Sequence, residues 1–322
     1  VSIQLQIHPS AFPQSQREHW FESLKRQVVP AQCLYESIGQ ASRWLAYAKA
    51  WSPIHRGKDY QGVYDRAYAA AWGCMDRRAF DYLALGCGDG YKDVSFFNHQ
   101  AARALNGYLG LAEISPSLLI EASQKLASFQ PEAWVVDLAS APEAFFRPSN
   151  PDNPRRLISC MGMLPTLGYQ VLLPYLSRQM GPEDWLLVSA NLTPSKDPES
   201  CQAILTQYDN DLAMEWYRGF LLELGLPRDS FACQASTQAL ESVTDGGFRI
   251  QIKARLKQDH CLSFYGHRIE WLAHTTLDLF RSERHTTQGL RQLFHQHGLA
   301  CHESFQSEDG EEAVYLLKRT CA

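Results

Sequence analysis

The sequence predicts an α/β fold with a mainly parallel central sheet and a helical N-terminal cap, and three observations carry that prediction. A short apolar strand at residues 80–85 runs directly into a glycine-rich turn, and a helical stretch starts beyond it. Further apolar runs occur at residues 106–114, 134–138, 156–160 and 184–189, with helical stretches between several of them. Residues before 80 mix aromatics with charges at helical intervals and contain no convincing strand. Strands that alternate with helices form a parallel sheet covered on both faces.

Taken in order, the helical stretches at residues 15–27, 41–51 and 64–78 make residues 1–79 the N-terminal cap. Residues 80–193 are the sheet core. Its first strand ends in Leu85-Gly86-Cys87-Gly88-Asp89-Gly90, and Val94-Ser95-Phe96-Phe97 opens the next helix. After the second strand, Ser115-Pro116-Ser117 offers an N-cap serine with proline at the first helical position. Gly181-Pro182 and Asp245-Gly246-Gly247 punctuate turns. Residues 194–247 read as a helical insertion for substrate binding, within an α+β insertion that supplies a second wall to the site. Residues 248–322 are expected to complete the sheet and the substrate site: the alternating Phe248-Arg249-Ile250-Gln251-Ile252-Lys253-Ala254 and the later His267-Arg268-Ile269-Glu270-Trp271-Leu272 are predicted to pair antiparallel on the sheet.

At 322 residues and 45% hydrophobic composition the chain buries a substantial core. A net charge of -5 argues against a protein that grips nucleic acid through its phosphates, which takes a basic surface. No apolar run is long enough to span a bilayer, and the first residues lack the basic and apolar regions of a signal peptide, so a cytoplasmic protein with no membrane partner is expected. The 9 cysteines show neither a Cys-x-x-Cys pair nor regular spacing, which points away from disulfides and zinc ribbons. His295-Gln296-His297 makes a poor metal pair, because residues two apart on a helix diverge. No metal is expected, and oligomeric state is not fixed by the sequence.

Glycines at the end of a strand let the backbone approach a ligand closely. A dinucleotide fingerprint would place its third glycine at position 91, where this chain has Tyr91, and no P-loop ending is present. The acids at the next two strand ends fit an adenosine. Glu113 lies 25 residues beyond Gly88 at the end of the second strand, where its carboxylate is expected to accept from two ribose hydroxyls. At the end of the third strand Asp137 offers a carboxylate to an adenine amino group, and Leu138 an apolar contact to its face. Capping or solvated acids are the alternative reading of Glu113 and Asp137 taken singly.

Leu85-Gly86-Cys87-Gly88-Asp89-Gly90-Tyr91-Lys92, Leu109-Gly110-Leu111-Ala112-Glu113-Ile114-Ser115 and Tyr208-Asp209-Asn210 resemble the histidine-specific methyltransferases of ergothioneine biosynthesis. Pro30-Ala31-Gln32-Cys33-Leu34-Tyr35-Glu36-Ser37-Ile38-Gly39 is similar to that family's N-terminal pattern, and residues 186–192 with Lys196-Asp197 fall where it has a strand, a turn and Lys-Asp. The resemblance implies a Rossmann-like methyltransferase fold and S-adenosylmethionine as cofactor. It implies cofactor contacts from Tyr35, Gly86, Lys92, Glu113, Asp137 and Leu138, with Lys92 near the cofactor's carboxylate and Gly88 in the same turn. Glu113 then stands for an aspartate and Leu138 for a phenylalanine.

The acceptor half departs from the family. Tyr47-Ala48-Lys49-Ala50-Trp51-Ser52 replaces a proline-glutamate-tyrosine-tyrosine segment, and an asparagine is lost within Cys160-Met161-Gly162-Met163-Leu164. The family's imidazole-reading glutamate falls at Phe280 or Arg281, leaving Ser282 as a retained partner. A site stripped of its polar partners loses orders of magnitude in affinity, so the expected acceptor is an amino acid or related small amine other than histidine. Met163, Leu164, Tyr208 and Ser282 are the expected substrate contacts. Tyr208, matching a family substrate tyrosine, is expected to orient the acceptor, with Glu215 as a second catalytic candidate on the same helix. Tyr64, Tyr68 and Trp72 recur every four residues and read as helix packing before pocket lining. The alternatives are methylation of a protein or a larger natural product, and a cofactor-binding relative without catalysis.

Overall fold

The computed structural model describes residues 3–75, 80–99, 107–141, 155–193, 198–240 and 246–320. Lys196-Asp197 and the expected element ends at Arg78, Asn106 and Pro194 lie outside them. Five parallel strands form the centre of the main sheet: β2 (Asp81–Leu85), β3 (Leu109–Glu113), β4 (Glu132–Val135), β5 (Arg156–Cys160) and β6 (Trp185–Asn191), in the order β4-β3-β2-β5-β6. The chain therefore winds outward in both directions from β2. That is the doubly wound, Rossmann-like order, with its switch point between β2 and β5.

Both sheet faces are covered, and the side-chain alternation shows how. Leu83 and Leu85 of β2 point into a cluster with Leu172, Leu173 and Leu176 of α7 (Tyr169–Gln179) and with Leu290, Leu293 and Phe294 of α10 (Thr287–Gln296). Tyr82 and Ala84 point the other way, onto α3 (Lys58–Cys74), α4 (Tyr91–His99) and α5 (Pro116–Lys125). Strands buried on both faces read as continuous apolar runs, which is why β2, β3, β5 and β6 were visible in the sequence. Ser115 caps α5 by accepting from Leu118 N, with Pro116 at the first helical position.

Four expectations need correction. The N-terminal region is not purely helical: before α1 (Pro13–Lys25) and α2 (Ile38–Trp51), Leu5–Ile7 forms β1, parallel to β4 at the sheet edge. Three residues carry too little pattern to be read as a strand. The third core strand ends at Val135 and not at Leu138, because the Asp137 amide is taken by Ser10 Oγ (3.1 Å) and leaves the ladder. Residues 194–247 are not helical throughout: they hold α8 (Pro198–Leu205) and α9 (Asp211–Glu223) and then a ten-residue strand, β7 (Phe231–Leu240), in keeping with an α+β insertion.

The fourth correction concerns the expected C-terminal pair. β8 (Gly247–Leu256) pairs with β7 and with β11 (Thr276–Arg284) in a separate three-stranded sheet, and β10 (His267–Trp271) pairs with β9 (His260–Phe264). Neither lies on the central sheet. The strands that extend it are β13 (Glu312–Arg319), antiparallel to β6, and β12 (Leu299–Gln306) outside it. The run Ala313-Val314-Tyr315-Leu316-Leu317 is buried throughout, as a strand covered on both faces requires, whereas β8 alternates and suits a sheet with one apolar face. That face packs on Met214, Trp216, Tyr217 and Phe220 of α9 in a second core. Among the described residues no helix is long and apolar enough to cross a membrane.

Candidate active site

A cavity of about 260 Å³ opens above the carboxyl ends of the central strands, between the β2 turn and helices α2 and α9. It is far larger than the roughly 10–15 Å³ that holds one water. Open α/β sheets bind ligands at this edge.

At the switch point the backbone turns sharply. Gly86 and Gly90 have φ of +65° and +73°, a region that favours glycine. A Cβ on Gly86 would lie 2.0 Å from Met163 Sδ, and one on Gly90 2.9 Å from the Ala122 backbone of α5. The turn is thus held between the β5 loop and α5, and the Trp44 indole lies close over Gly88.

Glu113 is buried at the cavity wall, and its carboxylate folds back on the turn. Oε2 accepts from Gly88 N (2.9 Å), and Oε1 accepts from Ile114 N (2.8 Å) and Ser115 N (3.2 Å). Burial raises its pKa, and these three amides work against that rise. A carboxylate takes about four donors, so about one acceptor direction, on Oε2, is left for a ligand. Three of the directions expected for ribose hydroxyls are thus taken by backbone amides in this structure.

Asp137 is held the same way. Ala139 N donates to Oδ1 (3.0 Å), and Gln32 Nε2 (3.1 Å) and Ser140 Oγ (2.6 Å) donate to Oδ2. One direction on Oδ1 remains. Gln32, Asp137 and Leu138 all line the cavity at this end. Ser10 and Gln32 come from the N-terminal segment, so that segment builds the site as well as covering it.

Lys92, in the first turn of α4, faces the cavity beside Gly162. Its ammonium stands 5.2 Å from the Tyr64 ring centroid, and no carboxylate among the described residues lies within ion-pair distance. Burial lowers its pKa, and the negative charge of Glu312 acts against that most strongly. Such a cation is suited to an anionic group of a ligand.

The opposite end of the cavity is walled by rings. Tyr47 stacks on Trp216 at 5.4 Å, Tyr35 lies 5.4 Å from Trp216 and 5.9 Å from Trp44, and Phe280 meets Trp216 edge-on at 5.3 Å. Trp216 is fixed by its Nε1 donating to Leu34 O (2.7 Å). Beside the rings sits a polar strip. Asn191 Nδ2 donates to Tyr208 Oη (3.2 Å), and Tyr208 Oη shares a hydrogen bond with Ser282 Oγ (3.0 Å). Arg284 lies over the Tyr208 ring at 5.8 Å and donates to Gln207 Oε1 (2.9 Å).

The cavity brings together Tyr35, Gly86, Gly88, Lys92, Glu113, Asp137, Leu138, Met163, Tyr208 and Ser282. Two expected residues lie elsewhere. Leu164 is buried in the core against α7, one residue past Met163. Glu215 is on the solvent side of α9 and pairs with Arg218 and Arg228. Tyr208 precedes α9, so the two do not share a helix, and the inward face of α9 is Ala213, Trp216, Tyr217 and Phe220. Tyr64 and Tyr68 pack in the core and brace the site from behind: Tyr64 donates to Glu312 and Tyr68 to Lys92 O. Sequence reasoning passed over Trp44, Trp216, Arg284 and Glu312. Glu312 alone left a signal, a charge at the head of a buried apolar strand.

No protein-family model matches the chain, and no curated protein sequence matches it. Among solved structures it is similar to magnesium protoporphyrin IX methyltransferase from Synechocystis with bound SAH, at 11% identity and a TM-score of 0.48 over 90% of this chain and 98% of that one. It is also similar to an S-adenosylmethionine-dependent methyltransferase from Clostridium acetobutylicum (14% identity, TM-score 0.44, 87% and 98% covered). A third is the sugar N-methyltransferase KedS8 from Streptoalloteichus (11% identity, TM-score 0.43, 89% and 95% covered).

Proposed function

We propose that the protein is an S-adenosylmethionine-dependent methyltransferase that methylates the nitrogen of a small amine other than histidine. The observation that carries this reading is the two-ended cavity. One end has the glycine turn with a single acceptor direction on each of Glu113 and Asp137; the other is a wall of aromatic rings with a short polar strip. When bound, the cofactor supplies an electrophilic methyl on a sulfonium.

The chain's own residues then have three tasks. Glu113 and Asp137 hold the nucleoside, and Lys92 takes the carboxylate. The faces of Tyr35, Tyr47, Trp216 and Phe280 exclude water and favour the positive charge that an N-methylated amine carries. Tyr208, fixed by Asn191 and Ser282, orients the acceptor, since alignment of nucleophile and methyl is the main source of rate in such a displacement. Phe280 offers no acceptor to an imidazole N–H, which supports an acceptor other than histidine.

The test is incubation with methyl-labelled S-adenosylmethionine and a panel of primary, secondary and tertiary amines, with mass spectrometry of both products. Label on an amine nitrogen is expected. Label only on oxygen or carbon acceptors, or none in the presence of bound cofactor, overturns the reading.

A further inference from the structure

Lys92 and Glu312 come from elements far apart in the chain, α4 and β13, and both reach the same cavity. Glu312 is 1% exposed. Its Oε1 accepts from Tyr64 Oη at 2.6 Å, and its Oε2, equally buried, has no hydrogen-bond partner. A buried carboxylate oxygen without a donor is costly to keep, and in a cavity wall it marks the place where a ligand donor belongs. Lys92 is its counterpart of opposite sign. Each is the strongest charge acting on the other, yet the two do not form an ion pair. The cavity beside them is suited to an anionic group at Lys92 and a cationic group at Glu312.

We infer that Lys92 and Glu312 form a clamp for an α-amino acid zwitterion, with Glu312 Oε2 accepting from the ligand's ammonium group, and that the ligand is the methionine end of the cofactor. The inference rests on the proposed cofactor and adds a binding residue on the last strand of the sheet. Lys92 ties the clamp to the cofactor end, because it lies in the first turn of the helix after the glycine turn and packs beside Gly162. Tyr64 fixes the carboxylate so that Oε2 remains directed at the ligand, which makes Tyr64 a positioning residue.

The experiment is calorimetric titration of the full chain and of its Glu312→Gln variant with two probes. S-adenosylhomocysteine carries the amino acid head; 5′-methylthioadenosine keeps the nucleoside and thioether but lacks it. Glu312→Gln is expected to weaken S-adenosylhomocysteine at least tenfold and to change methylthioadenosine less than twofold. Equal loss for both probes would make Glu312 a structural residue, and no loss for either would remove it from the site; both outcomes overturn the clamp. If S-adenosylhomocysteine weakens in Glu312→Gln only when an amino acid acceptor is also present, the zwitterion is the acceptor's and the assignment to the cofactor fails. A wild-type chain that binds neither probe contradicts the cofactor itself, a separate result. Thermal unfolding of the variant shows whether it is folded, and Tyr64→Phe, which keeps the carboxylate, is expected to give a smaller loss with the same selectivity between probes.

Discussion

Gly86 and Tyr208 mark the two ends of the cavity, and their substitutions should separate. Any Cβ at Gly86 meets Met163, and the φ of +65° is itself unfavourable to a branched side chain. Gly86→Val is therefore predicted to weaken S-adenosylhomocysteine at least 100-fold by calorimetry. Tyr208→Phe removes one hydroxyl at the far end and is predicted to leave that affinity within about twofold while lowering turnover. Equal loss in both would mean that the two ends are not separate. Glu312 adds a pH dependence. Burial raises its pKa to about 7, so it is neutral in acid and charged in weak base. An ammonium partner favours the charged form, and S-adenosylhomocysteine should bind more tightly as pH rises from about 6 to 8, with Glu312→Gln flattening the profile. The glycines and the acids Glu113 and Asp137 were legible because they sit at fixed intervals along consecutive strands. Trp216 was not, and Glu312 showed only as a charge at the head of an apolar run, because their place in the site depends on which helix face turns inward and which strand joins the sheet.

Among the elements, the paired ends of β5 and β6 are held by one buried ion pair. Arg156 donates to Asp184 through its backbone N (3.0 Å) and Nε (2.9 Å), and its guanidinium also donates to Gln179 O (2.6 Å). Asp184 is fully buried. Removing one partner strands the other charge, so Asp184→Ala is predicted to cost about 3–5 kcal/mol in urea unfolding. The pair lies at the end of the strands away from the cavity, so the folded variant should bind S-adenosylhomocysteine as the wild type does. The buried core strands could be read from apolar runs alone, and β5 was located to the residue. β1 is too short to show a period, and β4 is cut short by the Ser10 hydroxyl, which no local pattern announces. The exchange of β8 and β10 for β12 and β13 on the main sheet is a choice between partners far apart in the chain, which alternation within one strand does not encode.

At the scale of the whole molecule, the central sheet brings the glycine turn, Glu113 and Asp137 to one edge, while β11, α2 and α9 bring the rings and the Tyr208 strip over it. The half proposed to bind the nucleoside, built by consecutive strands, is legible from spacing. The proposed acceptor half, with residues 47, 208, 216 and 280, is legible only at Tyr208, because its members come from stretches far apart in the chain that meet within the second core. Every role given to the acceptor half presupposes the cofactor, and calorimetric titration of the wild-type chain with S-adenosylmethionine tests that premise most directly. Saturable one-to-one binding with a micromolar dissociation constant is predicted, lost in Gly86→Val. Absence of binding by wild-type protein at millimolar cofactor would contradict it.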